Sequence, residues 1–132
     1  MKNLLKIWKV SWIHFQNPKK SELLEIWEDY DLHEIIIEDI LEYWVQDKID
    51  TYDNNIFMVF HFPKYDERQK RYISNEFSVI LWKDYIITIT SHQTSHIEKI
   101  KQEYINETND LEDPEKYKIS PYYILYKIID VM

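Results

Sequence analysis

Hydrophobic and polar positions change period several times along the 132-residue chain, and each change predicts an element. Residues 6–15 alternate and are in part β-branched or aromatic, which predicts a strand from Lys6 to Phe15. Asn17-Pro18 reads as an N-cap followed by proline at the first helical position. Leu23, Leu24, Trp27 and Tyr30 follow at helical spacing, so a helix is predicted from Pro18 to Asp29. A second, short helix is predicted from His33 to Glu42.

A β region comes next. Asp47–Tyr52 reads as a strand, Asp53-Asn54-Asn55 as a turn and Ile56–Phe62 as an apolar strand. Pro63 and the charged run Asp66–Lys70 are predicted to form a loop. Tyr72–Trp82 returns as a strand, and Lys83-Asp84 turns tightly into Tyr85–Thr90. The apolar runs at 56–62 and 77–82 imply a sheet covered on both faces. Ser95-His96-Ile97-Glu98 matches a capping box, and Ile97, Ile100, Tyr104 and Ile105 continue one helical face. After an acidic loop at Asn109–Lys116, Ser120-Pro121 opens a last helix through Met132. It is apolar nearly all round except for Lys127 and Asp130, so it must be buried or continue into a partner. No cap closes it, and the chain is expected to be a fragment cut within that helix. No repeat or linker divides residues 1–132, which are expected to form a single domain.

Composition narrows the functional classes. The hydrophobic fraction of 45%, with 5 Trp and 11 Tyr, supplies a core without staples. Cysteine is absent, which excludes disulfides and thiolate metal sites. Against 16 Lys and Arg stand 24 Asp and Glu, a net charge of −8 that repels phosphate backbones and argues against nucleic acid. Such a surface attracts cations, although the plainer reading is solubility. Glycine is absent too, and with it the phosphate-cradling loop, the dinucleotide fingerprint and the nucleophile elbow. Turns must then rely on Asn and Asp. No signal peptide is visible and no stretch reaches the roughly 18 apolar residues that span a bilayer, so the chain is expected to be soluble.

The most informative local feature is the helix Glu34-Ile35-Ile36-Ile37-Glu38-Asp39-Ile40-Leu41. At about 100° per residue, Ile36, Ile37, Ile40 and Leu41 share the core face. Glu38 and Asp39 then point outward, each roughly 130° from its centre, with Ile35 and Glu42 between them on the exposed side. An exposed isoleucine ringed by acids suits a contact surface that also handles a cation, though a solvated acidic face with one stray apolar residue is the plainer account. Adjacent carboxylates are a start for Mg2+, which takes oxygen ligands and is typically held by one or two carboxylates. Asp130 is a second candidate, its bland alternative being an ion pair with Lys127. His92 and His96 lack a third ligand for zinc, and His14, His33 and His61 sit in apolar or capping contexts as structural residues. Nothing links Ser, His and Asp into a triad.

Several segments, in order, resemble the amino-terminal domain of the CorA family of divalent-cation transporters. Leu32-His33 with Ile37-Glu38-Asp39-Ile40-Leu41 resembles its Leu-His-Pro…Glu-Asp-Ile-Leu segment. Ile56–Phe60, Glu76–Leu81 and Tyr85–Thr88 resemble its strands, and Tyr123–Asp130 resembles its Tyr-Leu-Leu-Tyr…Ile-Asp helix. The likeness runs from about Trp12 to Met132. It departs where Asp31 stands for the usual glycine, Glu34 for the usual proline, and Trp44-Val45-Gln46-Asp47 for a basic His-Gln-Arg-Pro stretch. The resemblance implies an α/β fold, an αβα sandwich with a mixed, largely antiparallel central sheet flanked by helices. It implies a homopentamer joined through stalk and membrane helices beyond Met132, and a pore motif Gly-Met-Asn that this chain does not contain. It further implies a regulatory cation site between neighbouring subunits, where Glu38, Asp39 and Asp130 match acid positions and a last acid lies on the stalk. Ile35 and Glu42 would then sit at the interface. The expectation is a cytoplasmic Mg2+-sensing domain of a Mg2+/Co2+ transport protein, not an enzyme, that binds Mg2+ or Co2+ and meets the membrane only through its missing part. The alternatives are a stand-alone interaction module of the same fold and a zinc-transporting member of the family. A small hydrolase built on paired carboxylates lacks the glycine-rich loops and a second acid cluster.

Overall fold

The computed structural model describes residues 2–7, 10–41, 46–90, 97–103 and 120–130. A six-stranded sheet runs through its centre. Its strands are β1 (Lys2–Ile7), β2 (Val10–Gln16), β3 (Lys48–Thr51), β4 (Ile56–Asp66), β5 (Arg71–Leu81) and β6 (Tyr85–Thr90), in the spatial order β1-β2-β6-β5-β4-β3. Among the described residues only the β2–β6 pair is parallel, so the sheet is mixed and largely antiparallel, as expected. The helices are α1 (Lys20–Tyr30), α2 (Glu34–Leu41), α3 (residues 97–103) and α4 (Pro121–Asp130).

The period of two along the strands divides the core. Ile13, Phe15, Phe57, Val59, Ile80, Ile87 and Ile89 face one side and pack on Leu23 and Ile26 of α1 and Ile36 and Ile37 of α2. Val10, Trp12, Phe77, Val79, Leu81 and Ile86 face the other side and pack on Ile97 and Ile100 of α3 and Ile124 and Ile128 of α4. Each fully buried side chain of this size contributes roughly 1.5–3 kcal/mol relative to exposure. The central strands read as continuous apolar runs because both faces are covered. The αβα sandwich expected from the sequence is the observed architecture.

Several boundaries differ from the sequence expectation. The single strand over 6–15 is two strands, with Ile7 paired to Val10 and Lys2 to Phe15. Only two residues separate the paired Ile7 and Val10 in sequence, neither of them Gly or Asn, so the alternation runs on unbroken and hides the hairpin. Asn17 is no N-cap. It takes a left-handed φ of 45°, its N–H donates to Thr90 O at 2.8 Å, and α1 starts two residues beyond Pro18. There the Glu22 carboxylate accepts from the Lys19 N–H at 3.1 Å, one half of a capping box. The loop expected at Pro63 is also strand: β4 runs on to Asp66, Pro63 opposite Ser74 and Tyr65 opposite Tyr72. Past Val59, no strand pairs with β4 on its β3 side among the described residues, and an edge of that kind tolerates proline. The capping box at Ser95, the residues Tyr104 and Ile105, and the loop at 109–116 lie outside the described residues.

Without glycine, left-handed turn positions among the described residues fall to Asn17, Asp31 at φ 50° and Lys70 at φ 51°. Asp31 closes α1 by such a turn, with the Leu32 N–H donating to Trp27 O at 3.2 Å. That geometry is the reason a glycine fits this position in the resembling pattern and Asp serves here.

Candidate functional site

Helix α2 begins immediately after His33, whose ring Nδ1 accepts the Ile35 N–H at 3.1 Å while its carbonyl accepts the Ile36 N–H at 3.0 Å. The imidazole stacks on Tyr52, centroids 5.0 Å apart. His33 is thus a side-chain cap, and Glu34 takes the first helical position, where proline is also at home. Ile36 and Ile37 anchor the helix in the core, while Ile35 is 44% exposed, as its position predicted.

Leu41 departs from expectation: it is 45% exposed and takes no part in the core face. Dropping it moves the centre of that face by about 23° towards Asp39, which then lies only about 107° away, on the flank of the helix. Glu38 swings to about 153°, and it is exposed. The outward pair expected from the sequence is therefore split. Asp39 is mostly covered, its side chain 14% exposed, and its Oδ2 is bound by the ammonium of Lys48.

Strand β3 delivers that lysine. Lys48 pairs with Val59 and Asp50 with Phe57, so both share the sheet face that carries α2. The Lys48 Nζ also meets Asp50 at 3.0 Å and stands 5.5 Å from the centre of the Phe57 ring. The hydrogen bond it donates to Asp39 holds the ammonium above the usual lysine range, partial burial pulls the other way, and Asp50 adds to the upward shift. Nothing in the spacing of acids had singled Lys48 out. Its signal was the strand register, which places residues 48 and 50 on one face.

Asp130 is exposed at the end of α4. Ser120 caps that helix through its Oγ, which accepts the Tyr123 N–H at 3.2 Å, and Pro121 opens it as expected. One stripe, Pro121, Ile124 and Ile128, is buried, whereas Tyr122, Tyr123, Tyr126 and Ile129 are exposed. Since α2 covers one face of the sheet and α4 the other, Asp130 is separated from Glu38 and Asp39 by the thickness of the sheet. Glu42 lies outside the described residues. Among those described, no three acidic or histidine side chains converge as a metal cage. One protomer thus offers oxygen ligands of the type Mg2+ takes, but as an open Glu38 beside an Asp39 that already holds an ammonium.

Two further polar features lie apart from this pair. An open cleft of about 870 Å3 between α1, α2 and the β3–β4 turn is lined by Trp27, Glu28, Asp31, Glu34, Tyr52 and Asp53 among others. On the opposite face, Trp12 Nε1 donates to Thr88 Oγ1 at 3.0 Å and His14 Nδ1 lies 2.8 Å from the same oxygen. Burial, seconded by the nearby Lys101, pushes the His14 pKa down to about 4. His14 is a structural residue, as expected. His61 is not in an apolar setting: its Nδ1 lies 2.6 Å from Asp47 and its Nε2 3.4 Å from Glu76.

No helix among the described residues is long and apolar enough to cross a membrane. Curated protein sequences give no match. Among solved structures, the complete CorA magnesium transporter from Methanocaldococcus jannaschii is similar at a TM-score of 0.70 and 13% identity, covering 96% of this chain and 38% of that one. The soluble domain of the same CorA gives 0.72 and 14%, over 92% and 46%. The ZntB cytoplasmic domain from Vibrio parahaemolyticus gives 0.70 and 14%, over 95% and 48%. The chain thus spans less than half the length of each, and at these identities the likeness is one of fold. A family described as "CorA-like Mg2+ transporter protein" matches residues 9–132. Since that match takes in all but the first eight residues, the chain belongs to the CorA-like family of Mg2+ transporter proteins.

Proposed function

We propose that this chain is the cytoplasmic regulatory domain of a CorA-type transporter of divalent cations, Mg2+ before others, with its membrane-crossing part outside the sequence given. Glu38 and Asp39 of one copy and Asp130 of a neighbour hold the ion between them. The observation that supports this is the placement of the acids on opposite faces of the sheet, so that Asp130 cannot share an ion with Glu38 and Asp39 of its own copy. Facing carboxylates about 6 Å apart repel by about 3 kcal/mol per pair at an effective dielectric of about 20. A bound divalent ion removes that repulsion and holds adjacent copies together; its loss loosens them and biases the assembly towards an open state. Ile35, exposed between the acids, belongs to the contact surface.

Ion identity is not carried by the fold, since the CorA and ZntB proteins are equally similar at a TM-score of 0.70. The test is Mg2+-dependent protection of the whole transport protein from proteolysis. Glu38→Gln combined with Asp39→Asn is expected to move protection to about tenfold higher Mg2+, or abolish it, as loss of about 1.4 kcal/mol or more of ion binding requires. Unchanged protection refutes the reading.

A further inference from the structure

We propose that Lys48 is a tethered counter-cation for Asp39, which a divalent ion must displace before it can use that carboxylate; this rests on the reading of Glu38 and Asp39 as cation ligands. The Lys48 ammonium occupies Asp39 Oδ2 itself. Only 14% of the Asp39 side chain is exposed, so little of it is open beyond the ammonium. An ammonium donating hydrogen bonds and a metal ion accepting lone pairs compete for the same oxygen.

The surroundings make the lysine displaceable without leaving it stranded. Asp50, two residues along the same strand face, already contacts the ammonium at 3.0 Å and is more exposed than Asp39. The Phe57 ring lies beneath it at 5.5 Å, where a cation is favoured by the ring's negative face. Released from Asp39, Lys48 shifts to Asp50 while keeping its place over the ring. The pair also ties α2 to the edge strand β3, so exchange of the lysine for a metal ion frees the flank of α2 from the sheet edge. Glu38, exposed on the other flank, remains the first point of contact for an arriving ion. The consequence is a raised cation threshold, set within the protomer.

The test is a Mn2+ titration of this chain, read as paramagnetic broadening of the Glu38 and Asp39 amide signals. Lys48→Met is expected to lower the Mn2+ concentration for half-broadening about two- to fivefold, the worth of a partly exposed ion pair. Lys48→Arg, which keeps the charge, should behave as the parent. Lys70→Asn removes one positive charge in the β4–β5 turn, past Asp66, itself seven strand residues or ~23 Å beyond the level of Lys48. That exceeds two Debye lengths of about 8 Å, so this variant reports net charge alone and should leave the titration unchanged. Equal shifts in Lys48→Met and Lys70→Asn, or no shift in either, overturn the counter-cation while leaving the cation-site reading standing. Absence of broadening near Asp39 in every variant overturns both. Lys48→Gln replaces Lys48→Met if the latter does not fold.

Discussion

The ring of His14 and the hydroxyl of Thr88 meet at 2.8 Å across the one parallel strand pair, where the two residues are direct partners in register. The hydroxyl already accepts from Trp12 Nε1, and with His14 neutral and protonated at Nε2 it can give its own hydrogen to Nδ1. Protonating the ring adds a buried charge near Lys101 and removes that acceptor.

Acid should therefore destabilise the fold through His14. The unfolded ring titrates near 6.5 and the folded one near 4, so the unfolded state binds more protons between these values. Stability stays level above about pH 6.5 and falls as the pH drops towards about 4, by up to about 3 kcal/mol from this residue. Chemical denaturation at pH 7 and pH 4.5 should show a smaller drop in His14→Gln than in the parent. An equal drop would place the acid sensitivity elsewhere.

Ile35 and Ile36 are adjacent on α2 and should respond oppositely. Ile36 is fully buried, and Ile36→Ala is expected to cost about 2–5 kcal/mol in unfolding free energy. Ile35→Ala, at an exposed position, should stay within about 0.5 kcal/mol in the isolated chain. If Ile35 belongs to a contact between copies, the same variant weakens self-association of the whole transport protein, measurable by sedimentation.

His33→Ala removes the ring nitrogen that caps α2 and the stack on Tyr52. The expected loss is about 1–2 kcal/mol, measured by thermal unfolding with the enthalpy fitted. His33→Asn, which caps through its side-chain oxygen but cannot stack, should recover part of it.

Lys70 holds a left-handed φ of 51° at the end of the β4–β5 turn, at a steric cost that glycine does not carry. Lys70→Gly should raise stability by up to about 1 kcal/mol after the added chain entropy of the unfolded state is counted. A fall in melting temperature would show that the lysine side chain contributes more than its backbone costs.

How far the sequence revealed this molecule depended on the range of the signal. The apolar runs at 56–62 and 77–82 stood out because a sheet covered on both faces needs apolar side chains on both, and the cap at Ser120-Pro121 stood out because it is local chemistry. The β1–β2 hairpin did not, because its link carries no turn residue and preserves the alternation. Asp39 was assigned outward because Leu41 was counted into the core, a choice that helical periodicity cannot make without knowing where the helix stops touching the sheet. Its partner Lys48 is nine residues away on an edge strand, and only the register with Val59 and Phe57 brings the two charges together. Long-range pairs of this kind are set by topology and leave no trace in spacing.

Helices α2 and α4 lie on opposite faces of one sheet, and that fixes the arithmetic of any assembly joined through their acids. In an open row of copies, junctions number one fewer than copies, so the first and last subunits each keep a charged side with nothing across from it. Closure brings junctions and copies to the same number. For copies that share an ion between the α2 acids of one and Asp130 of the next, as proposed above, a closed head-to-tail arrangement leaves no such side unmatched.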